Sequence, residues 1–460
     1  MPKVVRTSRV MIRSFTENGT PWRGPSLALR RVTARSAVFA AWRARSASSV
    51  TYAFSCFSVS MRESTASTTS RGETFFRAMA AARSAADIQQ RSLLFMVAAI
   101  VCCVAMAAVA FGIFDHVDRS DEPIGVLYEQ RLKLVEAAEA AGFRTYHVAE
   151  HHATRLGMAP SPGIFLAAVA QRTRRIRFGP LVYLLPLYTP LRLIEEIAML
   201  DQMSGGRLEL GVGRGISPYE LAYCGVDFLE APAMYAEALE VILAGLRGGR
   251  LTHRGRYYRY LDVPIELTPV QRPHPPLWQG VTSPEGAATA AARGVNIVGT
   301  APNARMKEVV DRYFEAVAVQ PGGSAPMVGI QRHVFVAETD AEAIAVARVA
   351  YKSWYDSLVS LWRQFNTVPV RFAESLEGAL AIDAAIVGSP ATVRAEVERH
   401  LAATGCNYFV GRFIYGNLGF EQASRSLALW NSEVMSKLVH AEGGDRPQRL
   451  ARANPARAPR

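Results

Sequence analysis

Cysteine is scarce in this chain: Cys56, Cys102, Cys103, Cys224 and Cys406 are the five among 460 residues. None forms a C-x-x-C pair or a metal-ligand spacing, which argues against a disulfide framework and for a reducing compartment. The dinucleotide fingerprint G-x-G-x-x-G is also missing, so a Rossmann-type NAD(P)H site has no support. The adjacent histidines His151 and His152 lack the three-to-five-residue separation that zinc would want. Acidic residues are few at both ends. Residues 1–110 carry a net +11 and residues 441–460 a net +3, so of the total +12 the stretch 111–440 holds −2. The basic character belongs to the tails, and no nucleic-acid role for the body follows from it.

Residues 1–92, rich in Ser, Ala, Arg and Thr without sustained periodicity, read as a basic disordered extension, and 441–460 as a disordered basic tail. Between extension and body runs an uncharged stretch, Leu93 to Phe114, long enough to span a bilayer. Its end, Phe111-Gly112-Ile113-Phe114 before Asp115, reads instead as the first buried strand of the body. That leaves an apolar segment at 93–110 with no linker after it. The arginines ahead of it would also place the body outside the cytoplasm. The twin Arg30-Arg31 stands about sixty residues upstream, too far for an export signal. The expectation is an over-extended start, with Met96 or Met106 as the native first residue. A membrane anchor or signal, whose basic arm docks on anionic lipid, and a buried helix stay open as alternatives.

What is present is RLELGVGRGISPYELAYCGVD, Arg207 to Asp227, where an apolar alternation ends in Gly211, Gly213 and Gly215 with Arg214 between the last two. A strand ending in glycines lets something flat or bulky approach the backbone, because no Cβ intervenes. Arginine there offers a rigid fork of donors to an anion. The same glycines would also serve a tight turn. Phe143 to Gly157 reads as a strand ending in Glu150, His151 and His152. Neighbours on a strand point to opposite faces, so at most one histidine faces a given pocket, as a base or a hydrogen-bonding group. A polar strand end at the surface is the plainer reading. Ser283-Pro284-Glu285-Gly286 has the chemistry of a helix start, with Ser283 as N-cap and Pro284 in the first turn. Such a start presents free N–H groups to a phosphate.

From Phe111 onward, short apolar strands alternate with amphipathic helices. Strands are expected at Phe111–Val117, Thr145–Ala149, Ile176–Leu185, Arg207–Val212, Leu277–Val281, Asn296–Gly299, Ile330–Val336 and Tyr408–Phe413, each followed by a helix, the last at Phe420–Leu438. A hairpin-like insertion lies at Leu251–Tyr260 and another insertion near Phe365–Asp383. Eight such units over 111–440 predict an α/β fold, a (β/α)8 TIM barrel with insertions, whose chemistry gathers at the C-terminal ends of its strands.

The set FGIF at 111–114, AEHH at 149–152, LDQMSGGRLELGVGRG at 200–215, GVD at 225–227, SWYDSLV at 353–359, VGSP at 387–390 and ATG at 403–405 resembles the bacterial luciferase-like flavin monooxygenases. The resemblance implies a cytoplasmic enzyme that binds reduced FMN supplied by a separate flavin reductase, reacts it with O2, and oxygenates a small apolar substrate through a flavin hydroperoxide. A homodimer is implied with it. By position, His151 matches the catalytic histidine, Arg214 an FMN-phosphate arginine and Ser283 a phosphate-binding serine. Leu181 and Val182 match a pair joined by a non-proline cis peptide beneath the isoalloxazine. Gly213, Ile216 and Thr282 complete the cofactor-binding set. Pro232 and Gly286 stand where the luciferases carry a second phosphate arginine and a phosphate-binding threonine. Gly213 replaces a reactive cysteine, so light emission is not implied. A deazaflavin-dependent oxidoreductase on the same barrel and a flavin-binding protein without turnover are the competing readings.

Overall fold

The computed structural model describes residues 109–317, 326–367 and 372–441. The chain divides into two compact units, Met1–Val104 and Ala105–Arg460, and all described residues belong to the second. The expected extension, the apolar segment up to residue 108 and the tail from 442 lie outside the described residues.

Eight parallel strands form the frame: β1 (Ala110–Asp115), β2 (Thr145–Val148), β3 (Arg177–Pro180), β4 (Leu210–Gly213), β5 (Leu277–Gly280), β6 (Asn296–Gly299), β7 (Val328–Val336) and β8 (Tyr408–Arg412). β1 pairs with both β2 and β8, and the ladder continues through β7, β6 and β5 to β4. A bridge between Phe178 and Leu208 joins β3 to the residues leading into β4 and brings the ring together. The strands are short and buried along nearly their whole length, as a parallel sheet covered by helices requires. The expected barrel is therefore what the chain forms.

The helices follow from local chemistry. Ser283 caps α6 (Pro284–Ala292) by accepting from the Gly286 N–H at 3.1 Å, and Ser217 caps the short α4 (Pro218–Tyr223) by accepting from Glu220 N–H. The first three helices are α1 (Ile124–Ala141), α2 (Pro162–Arg172) and α3 (Pro190–Met203), and α5 (Ala231–Leu246) and α7 (Asn303–Val317) complete the first six units. α8 is one long helix, Asp340–Gln364, and α9 (Leu376–Ala381) lies in the insertion expected near 365–383. After α10 (Pro390–Thr404), the expected last helix is divided by a π-helical turn at Trp430–Met435 into α11 (Phe420–Leu429) and α12 (Ser436–Ala441).

Two departures matter for the site. The third expected strand, Ile176–Leu185, breaks after Pro180. The Leu181–Val182 peptide is cis, and Tyr183–Leu184 resumes pairing beside Val212–Gly213. The second strand stops at Val148, so Glu150, His151 and His152 lie in the loop beyond it rather than on the strand. The hairpin is present as Gly249–Arg254 paired antiparallel with Arg259–Ile265.

Inside the barrel, Phe114, Ala149, Trp278, Val298, Tyr408 and Val410 form a small core distinct from the helix–sheet core. Trp278 is fully buried and donates its indole N–H to Glu209 at 2.6 Å, and Glu209 also receives Arg177 and Arg144. That polar plug sits where β2–β4 begin. The opposite end is left for function.

Candidate active site

At the end of β2 the two histidines diverge. His151 turns its Nδ1 to the Glu220 carboxylate, 3.3 Å from each oxygen, while the His152 backbone N–H donates to Glu220 Oε2 at 2.9 Å. Burial works to raise the Glu220 carboxyl, but the hydrogen bonds from His151 and from the His152 backbone outweigh it and hold the group below its ordinary value. With Nδ1 committed to a carboxylate, Nε2 is the nitrogen left to accept or deliver a proton. His152 points elsewhere, to Glu150 Oε1 at 2.8 Å, and that bond raises its pKa. Glu150 is buried and also accepts from the Leu184 N–H and the Tyr188 hydroxyl. One ring is held by a helix from beyond β4 and the other by a carboxylate of its own loop.

Leu181, Val182, Gly213, Arg214, Ile216, Thr282 and Ser283 lie together at or just past the C-terminal ends of β3, β4 and β5. The glycines prove to admit the neighbouring chain itself. A Cβ on Gly211 would stand 2.0 Å from the Pro180 carbonyl oxygen, and one on Gly213 would stand 2.4 Å from a Val182 methyl. Gly215 has φ +94°, a left-handed conformation. Arg214 and Ile216 are exposed. The Arg214 guanidinium lies 5.3 Å over the Phe228 ring and has no carboxylate partner among the described residues. Thr282 is exposed beside the half-buried Ser283.

These residues fit an anionic, phosphate-bearing ligand: an exposed unpaired guanidinium faces the same barrel end as the capped N-terminus of α6. One acid competes there. Glu285 accepts its own backbone N–H and the Ser283 hydroxyl, which keeps its carboxyl below the ordinary value. No group of His, Cys, Asp and Glu among the described residues could hold a metal ion.

A further cluster at the same end was not marked by the sequence. His116, just past β1, is 5% exposed, and its ring meets that of His151 edge to face at 5.1 Å. Trp354 of α8 donates to His116 Nδ1 at 3.2 Å. Arg412, the last residue of β8, lies between the rings of Phe114 and Trp354, 4.9 Å from each, and donates to His333 Nε2 at 2.8 Å. Its other terminal nitrogen is 3.5 Å from His116 Nε2. Burial, then the Arg412 charge, drives His116 and His333 well below the usual histidine range. Both are neutral rings. Burial also pushes Asp118 up to about 7 and brings Arg412 down to about 10. His116 and Asp118 could have been picked out only by their place at the end of a barrel strand. Arg412 looks in the sequence like any polar residue ending an apolar run.

A histidine held by a carboxylate past β2, an exposed guanidinium past β4 and a buried aromatic–guanidinium cluster past β1 and β8 stand together on a (β/α)8 barrel of the enzyme class. The family model described as luciferase-like monooxygenase matches residues 109–408. The chain belongs to that family. It is 38% identical over 333 residues to the uncharacterized protein y4wF of Sinorhizobium fredii, covering 72% of this chain and 97% of that one. It is 28% identical over 244 residues to the oxygenase component of a flavin-dependent trigonelline monooxygenase of Acinetobacter baylyi, covering 52% and 68% of the two chains. Among solved structures, the monooxygenase RslO1 from Streptomyces bottropensis superposes with a TM-score of 0.65 at 26% identity, over 71% of this chain and 99% of that one.

Proposed function

We propose that this protein is the oxygenating component of a two-component flavin monooxygenase. It would take reduced FMN from a separate reductase and use O2 to oxygenate a small organic substrate. The observation that carries this is the His151–Glu220 pair at the barrel end that also presents unpaired Arg214. Family membership supplies the reaction class, and the relative named as an oxygenase component supports the division of labour.

Reduced FMN, when bound, supplies the electrons that activate O2. The chain's own residues do the rest. Arg214 and the N-terminus of α6, with Ser283 and Thr282, would hold the phosphate; Leu181, Val182 and Gly213 would shape the bed for the ring, with Ile216 at its edge. Glu220 would fix the tautomer of His151 and leave Nε2 free to accept or deliver a proton at the substrate. His116, Phe114 and Trp354 close the wall behind His151 and keep water out. We place the enzyme in the cytoplasm and expect a homodimer.

Titration of the purified protein with oxidised FMN, reduced FMN and the reduced deazaflavin, followed by fluorescence, tests the reading. Reduced FMN is expected to bind most tightly. Tighter binding of the deazaflavin would make the protein a hydride-transfer enzyme. Copurifying oxidised flavin with NADH oxidation in the absence of any reductase would overturn the two-component scheme.

A further inference from the structure

Three buried donors on the β7–β8 side of the barrel have no hydrogen-bond partner among the described residues: Arg412 Nε, Gln331 Nε2 and the Tyr415 hydroxyl. Their residues are 4%, 6% and 0% exposed. A buried donor left unpaired costs about 1–3 kcal/mol, and more when the group is charged. One such atom is commonplace; three on one side of a barrel, in β7, at the end of β8 and just past it, are not.

The topology puts them on one face. Arg412 stands opposite His333 in the β7–β8 register, and Gln331 lies two residues before His333 on the same side of β7. Arg332 between them turns outward to His400 and Asn303. Tyr415 packs edge-on against His333 at 4.9 Å between centroids. Arg412 also reaches His116, which touches His151. The face therefore runs from the orphaned donors to the candidate catalytic histidine. Its ionised acceptors are few: the histidines are neutral, no carboxylate lies within ion-pair distance of Arg412 among the described residues, and Asp118, whose buried oxygens also have no hydrogen-bond partner, has its carboxyl pushed up to about 7 by burial.

We propose that this face is the substrate's docking site, and that the substrate carries an acceptor oxygen, a ketone carbonyl or a carboxylate, received by Arg412, Gln331 and Tyr415. This rests on the monooxygenase reading above and narrows the expected apolar substrate to an oxygenated one. An unfunctionalised hydrocarbon would leave all three donors unpaired. A carbonyl satisfies one or two of them, and a carboxylate also neutralises the guanidinium.

The test is a ligand-observed NMR titration of the full-length protein with three probes of one ring size: cyclohexanecarboxylate, cyclohexanone and cyclohexene. At least one oxygenated probe should bind about tenfold or more tightly than cyclohexene. Carboxylate preference would mean an anionic substrate, and ketone preference a neutral one. Arg412→Met should erase the preference and Arg412→Lys should keep part of it for the carboxylate only. Equal binding of all three probes to wild type, or an unchanged preference in Arg412→Met, overturns the proposal. If Arg412→Met does not fold, the Gln331→Leu, Tyr415→Phe double variant takes its place. A preference that survives in it overturns the proposal equally. FMN binding is measured in parallel on the same samples. It depends on Arg214 and α6 across the barrel, so failure of the flavin reading leaves the probe result standing, and the reverse.

Discussion

Glu220 holds His151 from a different strand end: the carboxylate arrives on α4, after β4, and takes His151 Nδ1 at 3.3 Å. The same carboxylate accepts the backbone N–H of His152, so one acid fixes both the ring and the loop that carries it. A base whose orientation is set from outside its own loop keeps its aim when substrate enters.

Replacing Glu220 by Gln should keep the fold and lower turnover by about 10²-fold, because the amide can present a donor to Nδ1 and favour the wrong tautomer. A pH signature accompanies it. The folded-state pKa of Glu220 is lowered, so its contribution to stability is present above the unfolded value near 4.3 and is lost as pH falls through the folded value. The difference in Tm between wild type and Glu220→Gln should be large at pH 7 and shrink below about pH 4. A gap that stays constant with pH would show that the carboxylate charge contributes nothing.

His151→Ala should retain flavin but divert the reaction to hydrogen peroxide, with product formation down about 10²–10⁴-fold. His152→Ala should divert less, since its ring serves Glu150. The product-to-peroxide ratio under one reduced-FMN supply decides it. The larger diversion in His152→Ala would reverse the assignment of roles.

Much of this architecture could be read from the sequence, for a physical reason. Period-two apolar runs and capped helices are local, so the barrel and the Ser283 cap follow from neighbours in the chain, whereas His151 and His152 diverge in a loop past the strand, drawn by Glu220 and Glu150 rather than by strand alternation. The reading failed where distance in sequence hides contact. Glu220 is the third residue of a capped helix, with nothing local to mark it, and its carboxylate goes to a histidine 69 residues earlier. The close approach of Pro180 to Gly211 and of Val182 to Gly213 likewise joins segments some thirty residues apart. Arg412, His333 and Trp354 meet only because β7, β8 and α8 close over β1, and no local pattern announces that.

Arg214→Ala should weaken reduced-FMN binding by about 1.5–3 kcal/mol, the worth of a charge-assisted hydrogen bond to phosphate. Arg214→Lys should rescue part of it, because the planar fork is lost. Glu285→Gln should act in the opposite sense. Its carboxylate occupies donors at the α6 N-terminus, so its removal should tighten FMN roughly two- to fivefold, most at low salt. Unchanged FMN affinity in all three variants would move the phosphate elsewhere.

A protein lacking residues 1–105 should fold and bind flavin like the full chain. Every strand pairing of the barrel lies between Ala110 and Arg412, and the unit boundary falls at Val104. Circular dichroism, thermal melting and FMN titration of the truncated protein provide the check; loss of the cooperative melt would show that the barrel depends on the removed segment.

Two glycine substitutions should separate framework from flavin bed. Gly211→Ala would put a methyl 2.0 Å from the Pro180 carbonyl oxygen, a clash with backbone that only a shift of β3 against β4 relieves. Overpacking of this kind costs about 1–3 kcal/mol or more, so Tm should fall by several degrees. Gly213→Ala meets a Val182 side-chain methyl instead, which can turn away toward the expected position of the isoalloxazine. Its Tm should fall less, while reduced-FMN affinity should fall more than in Gly211→Ala. Melting curves and FMN titrations on both variants test the contrast. If Gly213→Ala binds FMN as wild type does, Val182 does not border the flavin, and the bed assigned to Leu181, Val182 and Gly213 belongs to the barrel's own packing.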